Sequence, residues 1–253
     1  MTKNGKRVAW VTGGGSGIGE AGAEALAADG WTVVVSGRRQ AALDEVVAKI
    51  TKTGGAAEAI ALDVSNAAEA QKAADEIVAR HGRIDLLVNN AGINVPKRSW
   101  KDMELEGWDK LVQVNLNGVL YCMRAVLPTM RKQQDGAIIN VSSWAGRHVS
   151  KMPGPAYTTT KHAVLALTHS FNMDECVNGL RACCLMPGEV ATPILKLRPV
   201  VPSEAEQAKM LQSEDLGRTI AFIASMPARV CINEVLISPT HNRGFIQTPN
   251  NRD

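Results

Sequence analysis

Arg7-Val-Ala-Trp-Val-Thr12 runs without a break into Gly13-Gly-Gly-Ser-Gly17-Ile-Gly19, and an alanine-rich stretch follows as far as Asp29-Gly30. The apolar run reads as a buried strand, and the alanines read as a helix ended by glycine. Glycines at such a junction allow a tight turn, let backbone N–H groups approach a pyrophosphate, and let the helix pack close to the strand. Following a first strand and opening a helix, the turn signals a dinucleotide site. Gly13, Gly15, Ser16, Gly17, Ile18 and Gly19 are its candidate residues.

Outward from this turn, apolar runs alternate with helix-length periodic segments. The predicted strands are Arg7–Thr12, Thr32–Ser36, Ala57–Asp63, Ile84–Asn89, Ala137–Ser142, Leu180–Leu185 and Cys231–Ser238. Most are continuously apolar, as strands covered by helices on both faces should be, and the alternation argues for βαβ units and a parallel sheet. The 253 residues hold no evident linker, so one domain is expected. A net charge of +3, small and scattered, argues against a nucleic-acid surface. The polar start, Met1 to Arg7, is unlike a signal peptide, and no apolar run approaches the ~20 residues of a membrane span. Cys122, Cys176, Cys183, Cys184 and Cys231 follow neither a metal-ligand nor a disulfide pattern. They read as buried free thiols in a reducing cytoplasm, and no metal site is predicted.

The chemistry is concentrated in Pro153-Gly-Pro-Ala-Tyr157-Thr-Thr-Thr-Lys161. Gly154-Pro155 resembles a helix start, because proline at the first helical position has no hydrogen bond to lose. Residues four apart share one helix face, which brings the Lys161 ammonium towards the Tyr157 hydroxyl. A cation at ~4 Å in an effective dielectric of ~20 would favour the phenolate by about 4 kcal/mol. That is roughly three pKa units below a phenol's usual ~10, and the helix start pushes the same way. Such a tyrosine could exchange a proton near neutral pH. By themselves the five residues are equally a solvated accident; the rest of the chain decides for the coupled pair.

Thr12-Gly13-x-x-x-Gly17-x-Gly19 and Tyr157-x-x-x-Lys161 together resemble the short-chain dehydrogenase/reductase family, in its shorter single-domain subtype. Asp63-Val64, Asn89-Asn90-Ala91-Gly92, Asn115, Ser142-Ser143 and Pro187-Gly188-x-x-x-Thr192 match the family's remaining motifs in order. The resemblance implies a three-layer, doubly wound Rossmann fold with a seven-stranded parallel sheet. It also implies hydride transfer between a nicotinamide cofactor and a secondary alcohol or carbonyl substrate. On it, Tyr157 is the acid–base residue, Lys161 tunes it and holds the nicotinamide ribose, Ser143 bonds the substrate oxygen, and Asn115 bends its helix and holds a relay water. Asn117 is the alternative to Asn115. Ser142 is expected to be structural, although the gap from Ser143 to Tyr157 is about one residue longer than the pattern. By the same resemblance Asp63 and Val64 meet the adenine, Asn89, Ala91 and Gly92 border the cofactor, and Pro187, Gly188, Val190 and Thr192 cover the nicotinamide and phosphates. For Asp63 a second reading stands, a strand-end carboxylate bonded to loop N–H groups. Asn66 or Ser65 should cap the next helix, with Glu69 completing the box.

At the end of the second strand an acidic residue would hold both ribose hydroxyls of NAD, but Gly37 stands there, followed by Arg38 and Arg39. Two arginines at a helix start suit a 2′-phosphate, so NADP is the expected cofactor, with NAD as the alternative. Residues 189–212 are expected to form a substrate lid. Within them Pro193–Pro202 is too proline-interrupted for a helix, Ser203-x-x-Glu206 caps a helix to about Leu211, and another helix follows Ser213. The pocket should draw on 93–100, 144–152 and the lid, with Lys97, Arg98, Arg147 and His148 pointing to a substrate with an anionic or polar group. Where the family often ends its last strand in Asp-Gly-Gly, this chain has Ser238-Pro239-Thr240 and a polar tail. The apolar segments 119–130 and 162–176 suggest a homo-oligomer, dimer or tetramer. A catalytically silent NADP sensor or scaffold is the alternative function. No nucleophile elbow accompanies the serines, which excludes acyl transfer, and the extended epimerase-type glycine motif is absent.

Overall fold

The computed structural model describes residues 7–198, 200–243 and 245. Seven strands, β1 (Val8–Thr12), β2 (Thr32–Gly37), β3 (Ala56–Ala61), β4 (Leu86–Asn89), β5 (Gly136–Val141), β6 (Leu180–Pro187) and β7 (Glu234–Ile237), form one parallel sheet in the order β3-β2-β1-β4-β5-β6-β7. The order reverses direction between β1 and β4, so the connections leave in opposite directions there and open a crevice at the strands' carboxyl ends.

Because strand side chains alternate between faces, each continuous apolar run feeds two cores. Val11, Val33, Val35, Val88 and Ile139 pack with helices α1 (Gly17–Ala28), α2 (Gln40–Lys52) and α8 (Ser213–Ser225). Trp10, Val34, Leu87 and Ile138 face the other way, onto α3 (Ala67–His81), α5 (Gly118–Gln133) and α6 (Pro155–Glu175). The three-layer, doubly wound arrangement is the expected one. Two shorter helices, α4 (Leu105–Val112) and α7 (Glu204–Gln207), lie in the connections. Among the described residues no helix is long and apolar enough to cross a membrane.

Several boundaries move for identifiable reasons. The third strand stops at Ala61 rather than Asp63, because β2 ends at Gly37 and the last rung is Leu62 N–H to Gly37 O at 3.0 Å. The fourth begins at Leu86, two residues late, since the Ile84 N–H is taken by the Gln133 side chain at 3.0 Å. The seventh begins at Glu234, not Cys231. Asn66 caps α3 by accepting from the Ala68 and Glu69 N–H groups, but Glu69 reaches past it to the N–H of Asp63 at 2.8 Å. Residues 193–197 form a 3-10 turn rather than a non-helical stretch. The Ser203–Glu206 box is present, yet α7 ends at Gln207, because Leu211 leaves to pair with Val190 through bonds of 3.0 and 2.8 Å to the Glu189 carbonyl and Ala191 N–H. Cys122, Cys183 and Cys184 are buried thiols, whereas Cys176 and Cys231 are exposed, against expectation.

Candidate active site

The β1–α1 turn carries the first wall of a cleft of about 980 Å³ at the carboxyl edge of the sheet. Gly13 and Gly17 have positive φ of 63° and 58°, backbone that β-carbon residues rarely adopt. A Cβ at Gly13 would stand 2.8 Å from the Ala91 Cα, so the turn and the loop after β4 touch main chain to main chain. Asn90 fastens this contact, its amide donating to the Thr12 and Gly13 carbonyls at 3.2 and 3.1 Å. Gly13, Ser16, Gly17, Ile18, Ala91 and Gly92 line the cleft on this side, and Pro187, Gly188, Val190 and Thr192 line it from the end of β6. Gly15, Gly19 and Asn89 lie behind the wall. Asn89 ties strand to strand, donating to Asn140 Oδ1 at 2.9 Å, and Asn140 donates to Thr168 of α6 at 2.9 Å.

Opposite stand Ser143, Tyr157 and Lys161, all on the lining and facing the glycine turn across one space. Ser143 follows β5 and caps a short 3-10 turn, accepting from the Ala145 N–H at 3.2 Å, and its side chain hydrogen-bonds the Tyr157 hydroxyl. Ser142 turns away, as expected, donating to the Lys161 carbonyl at 2.8 Å and so holding α6 to the sheet. Asn115 is fully buried in a π-helical turn, Gln113–Asn117, between α4 and α5. Its amide accepts from the Ile93 N–H at 2.8 Å and donates to the Ile93 carbonyl at 2.9 Å, which binds the loop after β4. A Cβ at Gly92 would lie 3.5 Å from both Asn115 Oδ1 and Lys161 Nζ, so the two groups close on one point. Asn117 instead bonds Gln113 within its own helix at 2.7 Å.

The electrostatics differ from the expected lysine–phenol coupling. The Lys161 ammonium sits 5.6 Å from the Tyr157 ring centroid and donates to the Val141 carbonyl at 2.9 Å. Burial holds Tyr157 above the ordinary phenol value rather than below it; the Ser143 hydrogen bond and the charges of Arg198 and Arg98 offset this only in part. Burial lowers Lys161 to about 8. The physical reason is desolvation: a cleft wall that buries Lys161 and half-buries Tyr157 disfavours each charged form.

Arg38 and Asp63 line a second, smaller hollow of about 360 Å³ with Lys110 and Gln113. Burial works against the Asp63 carboxylate, but bonds from the Ser65 hydroxyl and N–H at 2.7 and 2.9 Å, with Arg38 near, hold it below its usual value. The loop-bonded reading of Asp63 therefore describes its present partners. Val64 is buried against Gly118 at the start of α5, and Arg39 is exposed at the start of α2, so neither lines either hollow.

Of the basic residues expected in the pocket, Arg98 and His148 line it. Lys97 pairs with Glu104 and Arg147 with Glu234 outside it. Three lining groups were missed. Arg198 follows the 3-10 turn and donates to Glu189 at 2.7 Å. Arg243 bonds Glu189 at 2.8 and 2.6 Å and Glu206 at 2.9 Å. Phe245 stands edge-on to Trp144, 5.5 Å between centroids, and Trp144 stacks on His148 at 4.5 Å. Arg198 lay within the expected lid; nothing in the polar tail flagged Arg243 or Phe245, and residues 246–253 of that tail lie outside the described residues, as do 1–6 of the polar start.

Comparison with known proteins identifies the family and the fold. The family described as short chain dehydrogenase matches residues 7–199. A 3-oxoacyl-[acyl-carrier-protein] reductase from Synechocystis is 37% identical over 243 residues, covering 92% of this chain and 94% of its own. An alcohol dehydrogenase from the archaeon Thermococcus sibiricus, solved with 5-hydroxy-NADP, superposes with a TM-score of 0.85 at 26% identity over 94% of this chain and 98% of that one. A metagenomic short-chain oxidoreductase in complex with NADP does so with a TM-score of 0.80 at 32% identity, over 93% and 98%. Matched from its first strand to the turn that follows the sixth, the chain belongs to the short-chain dehydrogenase/reductase family of oxidoreductases.

Proposed function

We propose that the protein is an NADP-dependent dehydrogenase/reductase that interconverts a secondary alcohol and its carbonyl compound, with Tyr157 as the acid–base residue. The observation that carries this reading is Tyr157, Ser143 and Lys161 facing the glycine turn across a single cleft. The residues present fit a nicotinamide dinucleotide. Ser16 makes no side-chain capping bond at the start of α1, which leaves the first-turn N–H groups to an anion, and backbone-rich walls line the space beyond. Hydride exchange at the substrate carbon is the chemistry the bound nicotinamide supplies.

In reduction Tyr157 gives its proton to the developing alkoxide, and in oxidation it takes the alcohol proton. Ser143 holds the substrate oxygen and stabilises its charge. Lys161, buried beside the relay residue Asn115, binds the ribose hydroxyls and helps return the proton to solvent. Arg38 and Arg39 take a 2′-phosphate, which is why NADP is preferred over NAD; relatives of the fold solved with NADP support this. Residues 189–212 act as a lid over a single domain, and copies associate through α5 and α6, where Leu120 and Met173 are exposed apolar side chains. Tyr157→Phe should retain NADPH binding by fluorescence and lose turnover about 10²- to 10⁴-fold. Near-full turnover in that variant would refute the assignment, while NADPH binding with no turnover by the wild type on any carbonyl compound would favour a silent sensor.

A further inference from the structure

The cations that line the cleft bear on the substrate itself. Glu189 is the sole acidic side chain among the described lining residues, against Arg98, Arg198, Arg243 and Lys161. Lys161 is committed to the sheet side through Val141, and Arg243 is held by Glu189 and Glu206. Arg98 and Arg198 line the same cleft as Tyr157 and Ser143, and Arg198 shares the Glu189 carboxylate with Arg243. Arg98 comes from the loop after β4, pinned against the start of α6. A Cβ at Gly154, three residues before Tyr157, would stand 2.3 Å from the Arg98 carbonyl and 2.8 Å from its Cβ. That contact explains why glycine with a φ of 82° stands there. The amide of Asn94 ties the same loop to the Pro153 carbonyl at 3.1 Å. Arg198 arrives from the lid with its side chain mostly buried, aligned by the 2.7 Å bond from its Nη1 to Glu189. The two guanidiniums line one cleft with Tyr157, and their positive charges favour its phenolate. Against them stands the Trp144–His148 stack with Phe245 at its edge, an apolar wall for a carbon skeleton.

We propose that the substrate is a carboxylic acid, an oxo acid in one direction and the matching hydroxy acid in the other, whose carboxylate is bound by Arg98 and Arg198 while its carbonyl meets Tyr157 and Ser143. This rests on the dehydrogenase reading above. The wall already receives a carboxylate in this manner, since Glu189 takes donors from two guanidiniums, and planar fork donors suit that group. The carboxylate is a spectator: the carbonyl carbon would gain a hydride, with its electron pair, from a bound reduced nicotinamide that is thereby oxidised, and Tyr157 gives its proton to the carbonyl oxygen.

The test is reduction by the full chain with NADPH of matched α-, β- and γ-oxo acids, their methyl esters, neutral ketones and a phosphorylated ketone. Quenching of tryptophan fluorescence by each compound in the NADP complex gives a parallel readout of binding. The best acid should exceed its own ester in kcat/KM by at least about tenfold. Arg98→Gln and Arg198→Gln should each lower that value for the acid about 10- to 100-fold, mainly through KM, and leave the ester nearly unchanged. Arg98→Gln should also move the alkaline limb of the pH–rate profile upward, which a merely structural residue would not do. Esters reduced as well as acids, a phosphate preferred over the carboxylate, or an acid-to-ester ratio untouched by both variants would overturn the carboxylate site. Turnover confined to neutral ketones overturns it alone and keeps the dehydrogenase reading. No turnover on any compound, with arginine-dependent quenching by the acids, does the reverse.

Discussion

Tyr157 and its neighbours decide how the protein should respond to pH. Burial holds the phenol above its ordinary value, with the Ser143 hydrogen bond and the charges of Arg198 and Arg98 pulling the other way. In the role proposed for Tyr157, carbonyl reduction needs the protonated phenol and should stay flat from acid to neutral pH. Alcohol oxidation needs the phenolate and should keep rising into the alkaline range. Ser143→Ala removes one of the groups that favour the phenolate, so its oxidation profile should shift to higher pH, with a rate loss of about a hundredfold. pH–rate profiles in both directions check this, and an oxidation profile already level at neutral pH would contradict it. Lys161, lowered by burial to about 8, has the opposite sign for stability. The folded chain holds that proton less tightly than the unfolded chain does, so the penalty applies in neutral solution and is relieved as pH rises above 8. At the far end of the site, Arg38→Asp should weaken NADP binding about 10- to 100-fold and spare NAD, as read by fluorescence titration with the two reduced cofactors.

Elements meet around the site at places where no side chain fits. The end of β5 and the first turns of α6 touch at Gly146, where a Cβ would fall 2.3 Å from Ser142 Oγ and 2.8 Å from the Lys161 carbonyl. Gly146→Ala must therefore push α6 off the sheet or break the 2.8 Å Ser142–Lys161 bond. Overpacking of this kind costs about 1–3 kcal/mol, measurable by urea denaturation. Turnover should fall further than stability, because α6 carries both Tyr157 and Lys161. Full activity at wild-type stability would mean that the approach of strand and helix is looser than described. The π-helical turn at Asn115 is the complementary device, since the extra residue lets a buried amide leave its own helix and clamp Ile93 on another loop.

Across the whole molecule the two ends of the second half meet over the cleft. Arg243, near the end of the described chain, bonds Glu189 just after β6 and Glu206 in α7. Its hydrogen bonds, with burial opposing and Arg198 assisting, hold the Glu189 carboxyl below the ordinary 4.5. A depressed carboxylate stabilises the fold above that ordinary value and loses its contribution as pH falls through the depressed one, so acid should release this clamp first. Arg243 is partly exposed, so Arg243→Ala should cost only about 1 kcal/mol of stability. The larger effects should be faster hydrogen exchange across residues 189–212 and a raised KM; unchanged exchange there would refute the clamp.

The parallel sheet, the helices on both its faces and the Gly13–Gly19 turn were legible in the sequence, because they follow from local patterning: apolar runs of strand length, helical periodicity, and glycine between the two. Ser143, Tyr157 and Lys161 were legible too, through motif spacing, and the fold brings them to one cleft with the turn. What spacing could not supply was the surrounding field. Tyr157 and Lys161 share a helix face as expected, yet the shift of each is governed by how deeply the cleft buries it, a property of the packed molecule. Only tertiary structure separated Arg98 from its neighbour Lys97, which turns to Glu104, and brought Arg198, Arg243 and Phe245 to the same space from distant segments. Local sequence sets which backbone hydrogen bonds form along the chain, whereas burial and charge at a point sum over everything packed around it.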